Sequence, residues 1–102
     1  MKIEFVRTGG FTGLRLAGSF DTDKLQPDQS AMLDKLIHDS GFSNLPEKIK
    51  PTSPGPDQFE YRVVISSSGQ THAVSVDESV IPTALRPLLD YLTTLASSSK
   101  KQ

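Results

Sequence analysis

Alternation of apolar and polar side chains marks the strands of this chain, and apolar residues recurring every three or four positions mark its helices. Ile3 and Phe5 share one side of an extended segment whose other side carries Lys2 and Glu4, and Leu14 and Leu16 repeat the pattern after a glycine-rich stretch. This unit is predicted to be a β-hairpin. Pro27 and Asp28 suit the first turn of a helix, where proline loses no needed N–H and an acid complements the dipole. Met32, Leu33, Leu36 and Ile37 then form one helical stripe, and Gly41 is placed to end the helix in a left-handed cap, with Phe42 packing back beyond it. From Ser43 to Gln58 the composition turns to Pro46, Pro51, Pro54, Gly55 and Pro56, which predicts a long irregular connection.

Phe59, Tyr61, Val63 and Ile65 carry the strongest strand signal, Ser66 to Gln70 supply a turn, and Thr71 to Val76 return with Val74 and Val76 on one side. Leu85, Leu88, Leu89, Leu92 and Leu95 form a second helical stripe. Pro87 interrupts it, so the main helix is expected to start near Arg86 or Pro87 after a short turn opened by Pro82, or else to kink. The order β-β-α-β-β-α predicts an α+β fold: a four-stranded antiparallel sheet with two main helices packed on one face. Residues 1–97 are read as a single domain, with Ala96 onward fraying and 98–102 as a disordered tail.

Composition narrows the function by subtraction. The 102 residues suffice for one core, burying roughly two thirds of the surface of the unfolded chain. Eleven basic against twelve acidic residues leave a formal charge of -1, which carries no footprint for nucleic acid or an anionic membrane. Cysteine is absent, so no disulfide or thiolate metal site exists. An alternating amino terminus in place of an apolar run predicts a protein without a secretory signal, and hence a cytoplasmic one. No cofactor is expected. His38 and His72 stand apart without ligand spacing, Ser66 to Ser68 and Ser97 to Ser99 lack a nucleophile elbow, and acids such as Asp77 and Glu78 read as capping groups. The chain is therefore read as a non-enzyme.

What remains is a contact surface on loops. Arg7, Thr8, Gly9, Gly10, Phe11, Thr12 and Gly13 place an aromatic ring among three glycines at the hairpin tip, where it either folds back as a plug or points outward as an anchor. The prolines around Pro54, Gly55, Pro56 and Asp57 restrain a second protruding segment, which lowers the entropy lost on binding.

Three stretches, Arg7-Thr8-Gly9-Gly10-Phe11-Thr12-Gly13, Pro54-Gly55-Pro56-Asp57-Gln58-Phe59-Glu60-Tyr61 and Pro82-Thr83-Ala84-Leu85-Arg86-Pro87-Leu88, together resemble the emfourin family, small bacterial inhibitors of protealysin-like, thermolysin-type zinc metalloproteases. The resemblance spans nearly the whole chain, with Thr8 and Thr12 standing where many relatives carry Ser or Ala. It implies a cytoplasmic inhibitor, monomeric when free, that binds a thermolysin-like metalloprotease noncovalently and blocks its cleft with loop residues rather than with the sheet face. An alternative contact uses Asp57 or the Asp21 to Asp23 segment toward the catalytic zinc. The competing reading is a small adaptor domain with a non-protease partner.

Overall fold

A computed structural model describes residues 1–9, 15–50 and 59–100, with side chains described as far as Ser97. The chain runs β1 (Lys2–Gly9), β2 (Leu16–Asp21), α1 (Pro27–Ser40), a 3-10 turn (Phe42–Asn44), β3 (Lys48–Ile49), β4 (Phe59–Ser67), β5 (Gln70–Asp77), a second 3-10 turn (Glu78–Val80) and α2 (Arg86–Lys100). The strands form one sheet in the order β2-β1-β4-β5-β3. β1 pairs antiparallel with both β2 and β4, and β4 pairs antiparallel with β5.

The expected four-stranded antiparallel sheet is corrected here: among the described residues the sheet has five strands and is mixed, because β3 lies parallel to β5 with Lys48 opposite Ser75 and Ile49 opposite Val76. Two residues are too few to display a period of two, and β3 sits among prolines that argue for a loop. Its place is held by the sheet edge itself, where the Ser75 N–H donates to the Glu47 carbonyl at 2.7 Å. The connection read as irregular from Ser43 to Gln58 therefore contains a helical turn and an edge strand.

Strand parity places the core on one face. Ile3 and Phe5 on β1, Phe20 on β2, Val63 and Ile65 on β4, and Val74 and Val76 on β5 are buried together with Leu33 of α1 and Leu88, Leu89, Leu92 and Ala96 of α2. Both helices cover this face, as expected. Among the described residues, no helix lies on the opposite face, which carries Glu4, Val6, Ser19, Arg62, Val64 and Ala73. α1 starts at Pro27 and ends at Gly41, whose φ of 66° only glycine adopts easily and whose N–H reaches the His38 carbonyl. Its stripe is narrower than predicted: Leu33 is buried, Leu36 and Ile37 are half-buried, and Met32 is exposed.

α2 begins at Arg86, after a turn in which the N–H groups of Leu85 and Arg86 both reach the Pro82 carbonyl. Pro87 falls in the first turn of α2, where its missing N–H breaks no hydrogen bond within the helix. The expected fraying from Ala96 is corrected as well. Ala96 is fully buried because Gly18 of β2 leaves room for it: a Cβ on Gly18 would lie 3.2 Å from that of Ala96. The β4–β5 hairpin turns through Ser68 and Gly69, both at positive φ, the geometry that matches strand twist in a two-residue turn. No helix among the described residues is long and apolar enough to cross a membrane.

Candidate functional site

The register of the sheet decides which loops share an end. Gly9, the last described residue before the tip, pairs with Phe59, the first described residue after the proline segment. β3 runs parallel to β5, so the chain also leaves Lys50 at this same end. The bases of the two segments singled out in the sequence are thus neighbours on one rim. Of the residues assigned to partner contact, Arg7, Thr8 and Gly9 lie on this rim; Gly10, Phe11, Thr12, Gly13, Pro54, Gly55, Pro56 and Asp57 lie outside the described residues.

Arg7 and Thr8 point to opposite faces, as successive strand residues must. Arg7, on the helix side, holds its guanidinium carbon 4.7 Å from the centre of the Phe59 ring. One step inward on the same face, the Phe5 and Tyr61 rings approach to 6.1 Å between centres. Gly9 has a φ of 94°, which glycine alone adopts without strain, so the strand is already turning where the tip begins. Phe59 is tied a second time: its N–H donates to Glu78 Oε1 at 3.0 Å. Glu78 is itself positioned by a turn in which Asp77 Oδ1 accepts from the Ser79 N–H at 3.0 Å and the Ser79 hydroxyl at 2.8 Å. Asp77 is therefore a capping acid, as its sequence position implied. Lys50 Nζ lies 3.9 Å from Glu60 Oε2, across the mouth of the proline segment.

Phe59 and Glu78 were not singled out as site residues. The signal for Phe59 is the aromatic opening its strand, but its partner is identifiable only once β1 and β4 are known to be adjacent.

The Asp21 to Asp23 segment does not share this rim. Asp21 pairs with Lys2 at the far end of β2, five residues or about 17 Å from the Arg7 and Leu16 pair. Its carboxylate closes a local turn by accepting from the Asp23 N–H at 3.0 Å. The far end also holds a groove of about 870 Å³ lined by residues that include Met1, Asp34, His38, Phe42 and His72. There His72 Nε2 lies 2.9 Å from the Leu45 carbonyl oxygen, and its ring meets Phe42 edge-on with centres 5.3 Å apart. His72 thus pins the segment after α1 to the sheet.

Asp39 is held below its ordinary carboxyl range by a 2.7 Å hydrogen bond from Lys35, on the exposed side of α1 away from the rim. Among the described residues no group of three or more His, Asp or Glu side chains is arranged to hold a metal ion.

Strand pairing, an aromatic stack and a buttressing carboxylate thus stiffen the described bases of both segments. The family model named Emfourin matches residues 5–93, from within β1 into the second half of α2, and the chain belongs to the Emfourin family, a family of protease inhibitors. No curated protein and no solved structure matches the chain.

Proposed function

We propose that this protein is a noncovalent inhibitor of a thermolysin- or protealysin-like zinc metalloprotease, blocking the active-site cleft with the tip at residues 7–13 and the segment at 54–57. Residues 1–97 act as the inhibitor domain, monomeric when free, and meet the protease in the cytoplasm. The family match over residues 5–93 carries the reading. The pairing of Gly9 with Phe59 supports it, since it gives both segments a common base.

Thermolysin-type enzymes as a class accept a bulky apolar side chain just after the scissile bond. Phe11 at the tip fills that role, with Arg7, Thr8, Gly9, Gly10, Thr12 and Gly13 setting the tip, and Pro54, Gly55, Pro56 and Asp57 forming the second wall of the contact. A base held by the pairing of Gly9 with Phe59 and by the bond from the Phe59 N–H to Glu78 loses little entropy on docking. It also keeps the main chain from attack geometry, so the loop is bound without being cut.

Titration against thermolysin and protealysin tests the reading. Stoichiometric loss of peptidase activity is expected at micromolar inhibitor or below, and full activity in micromolar excess across several such enzymes refutes it. Phe11→Ala is expected to raise the inhibition constant at least about tenfold, equivalent to about 1.4 kcal/mol, with the fold intact. Unchanged inhibition by a variant that melts early assigns the ring to a structural plug instead.

A further inference from the structure

On the face turned away from the helices, the same rim carries a cleft of about 440 Å³ lined by Val6, Thr8, Arg15, Glu60, Arg62 and Ser75. Register explains the grouping: Val6 stands opposite Arg62, Arg62 opposite Ser75, and Thr8 opposite Glu60. Arg62 Nη1–H donates to the Ser75 hydroxyl at 3.2 Å, and Ser75 is only 7% exposed, so one corner of the guanidinium is fastened to the sheet. Among the described residues neither Arg62 nor Arg15 has a carboxylate within ion-pair distance. Glu60, the carboxylate of the lining, instead has Lys50 as its ion-pair partner. Two arginines without an ion-pair partner among the described residues thus line one cleft around half-buried Val6, with Glu60, the acid of the lining, engaged by Lys50.

We propose that this cleft takes an acidic side chain of the target protease, so that the interface continues from the tip onto the open face of the sheet. This rests on the inhibitor reading and amends the expectation that loops alone carry the contact. A guanidinium fixed at one corner keeps its remaining N–H groups for bidentate pairing with a carboxylate, and Arg15, just before β2, adds a second fork to the lining. Thr8 belongs both to the tip motif and to the cleft wall, which makes the two surfaces continuous. A single carboxylate suits the site better than a polyanion, because Glu4, Glu60 and Asp77 share this face and repel extended negative charge.

The test uses Arg15→Glu and Arg62→Glu, with Lys24→Glu, an exposed turn residue at the opposite end of β2, as a control of equal charge change. Association rate and inhibition constant are measured against thermolysin at low and at physiological ionic strength, with melting curves for each variant. Each arginine reversal is expected to slow association about tenfold at low salt and to raise the inhibition constant similarly, while the control changes either by less than about twofold. The gap should narrow as salt rises.

If Arg62→Glu also lowers the melting temperature by losing Ser75, Arg15→Glu, which has no described hydrogen bond to lose, decides the matter. Equal behaviour of Arg15→Glu and Lys24→Glu in an otherwise active inhibitor overturns the cleft while leaving the inhibitor reading standing. A wild-type protein that inhibits no such enzyme overturns both.

Discussion

The stack of Arg7 on Phe59 gives the sharpest measurable consequence of the rim geometry. Both residues are half-buried, and the 4.7 Å separation lies well inside the range in which a cation is drawn to a ring face. Exposed pairs of this kind contribute roughly 0.5–1 kcal/mol and desolvated ones about 2, so partial burial predicts a coupling near 1 kcal/mol. Gly9, directly opposite Phe59, offers the ring no side chain, which leaves Arg7 as its diagonal cross-strand neighbour on β1.

Urea unfolding of wild type, Arg7→Ala, Phe59→Leu and the double variant isolates this term, because the burial lost on shortening Phe59 cancels around the cycle. A coupling below about 0.3 kcal/mol, the level expected of independent sites, refutes the stack as a stabilising link. The same four proteins separate two roles for Arg7 in inhibition. If it acts by holding Phe59 and the loop bases, the losses in inhibition constant are coupled as the stabilities are. If it touches the protease directly, Arg7→Ala weakens inhibition to the same extent whichever residue stands at 59.

Two further outcomes follow from the packing. Gly18→Ala places a Cβ 2.7 Å from the tip of the Phe20 ring and 3.2 Å from Ala96 of α2. Both neighbours are buried, so thermal or urea unfolding should show a loss of about 1–3 kcal/mol, and an unchanged midpoint would show that the helix rides more loosely on β2 than described. His72→Ala removes the bond to the Leu45 carbonyl and the edge contact with Phe42, and should lower stability by about 1–2 kcal/mol. Measured where the variant is fully folded, its inhibition constant should match wild type, since His72 lies at the far end of the sheet; a tenfold change would place the contact in the wrong region.

The elements legible in the sequence are those in which local pattern and tertiary environment agree. β1, β4 and β5 show a period of two because one side is buried under the helices and the other is more open, as Ile3 and Phe5, Val63 and Ile65, and Val74 and Val76 illustrate on the buried side. Gly41 and Pro27 mark the ends of α1 because cap geometry is local. β3 escaped notice because its formation depends on the edge of β5 rather than on its own two residues. Gly18 carries no local signal either: its function is to admit Ala96, far away in the chain. At the site, composition marks out the tip and the proline segment separately. Their common base, the Phe59 stack and the Arg15 and Arg62 cleft all depend on β1 lying beside β4, a long-range pairing that no local pattern encodes.

The choice of strands bears on how an inhibitor of this build divides its labour. β1 and β4 are interior to the sheet, hydrogen-bonded on both sides, and β4 is tied again at its start by Glu78. Each segment has one root on these interior strands and the other on an edge strand, β2 for the tip and β3 for the proline segment, so the β1 and β4 roots are the stiffer of each pair. Apolar anchoring at the tip and charge pairing on the open face then act on different steps. A ring seated in a pocket is lost only on dissociation, so tip variants should act mainly through the off-rate. Arginines on an open face are felt by an acidic partner before contact, so face variants should act mainly through the on-rate and its salt dependence. A tip variant that slowed association as strongly as Arg15→Glu, at every ionic strength, would show that the two surfaces do not divide in this way.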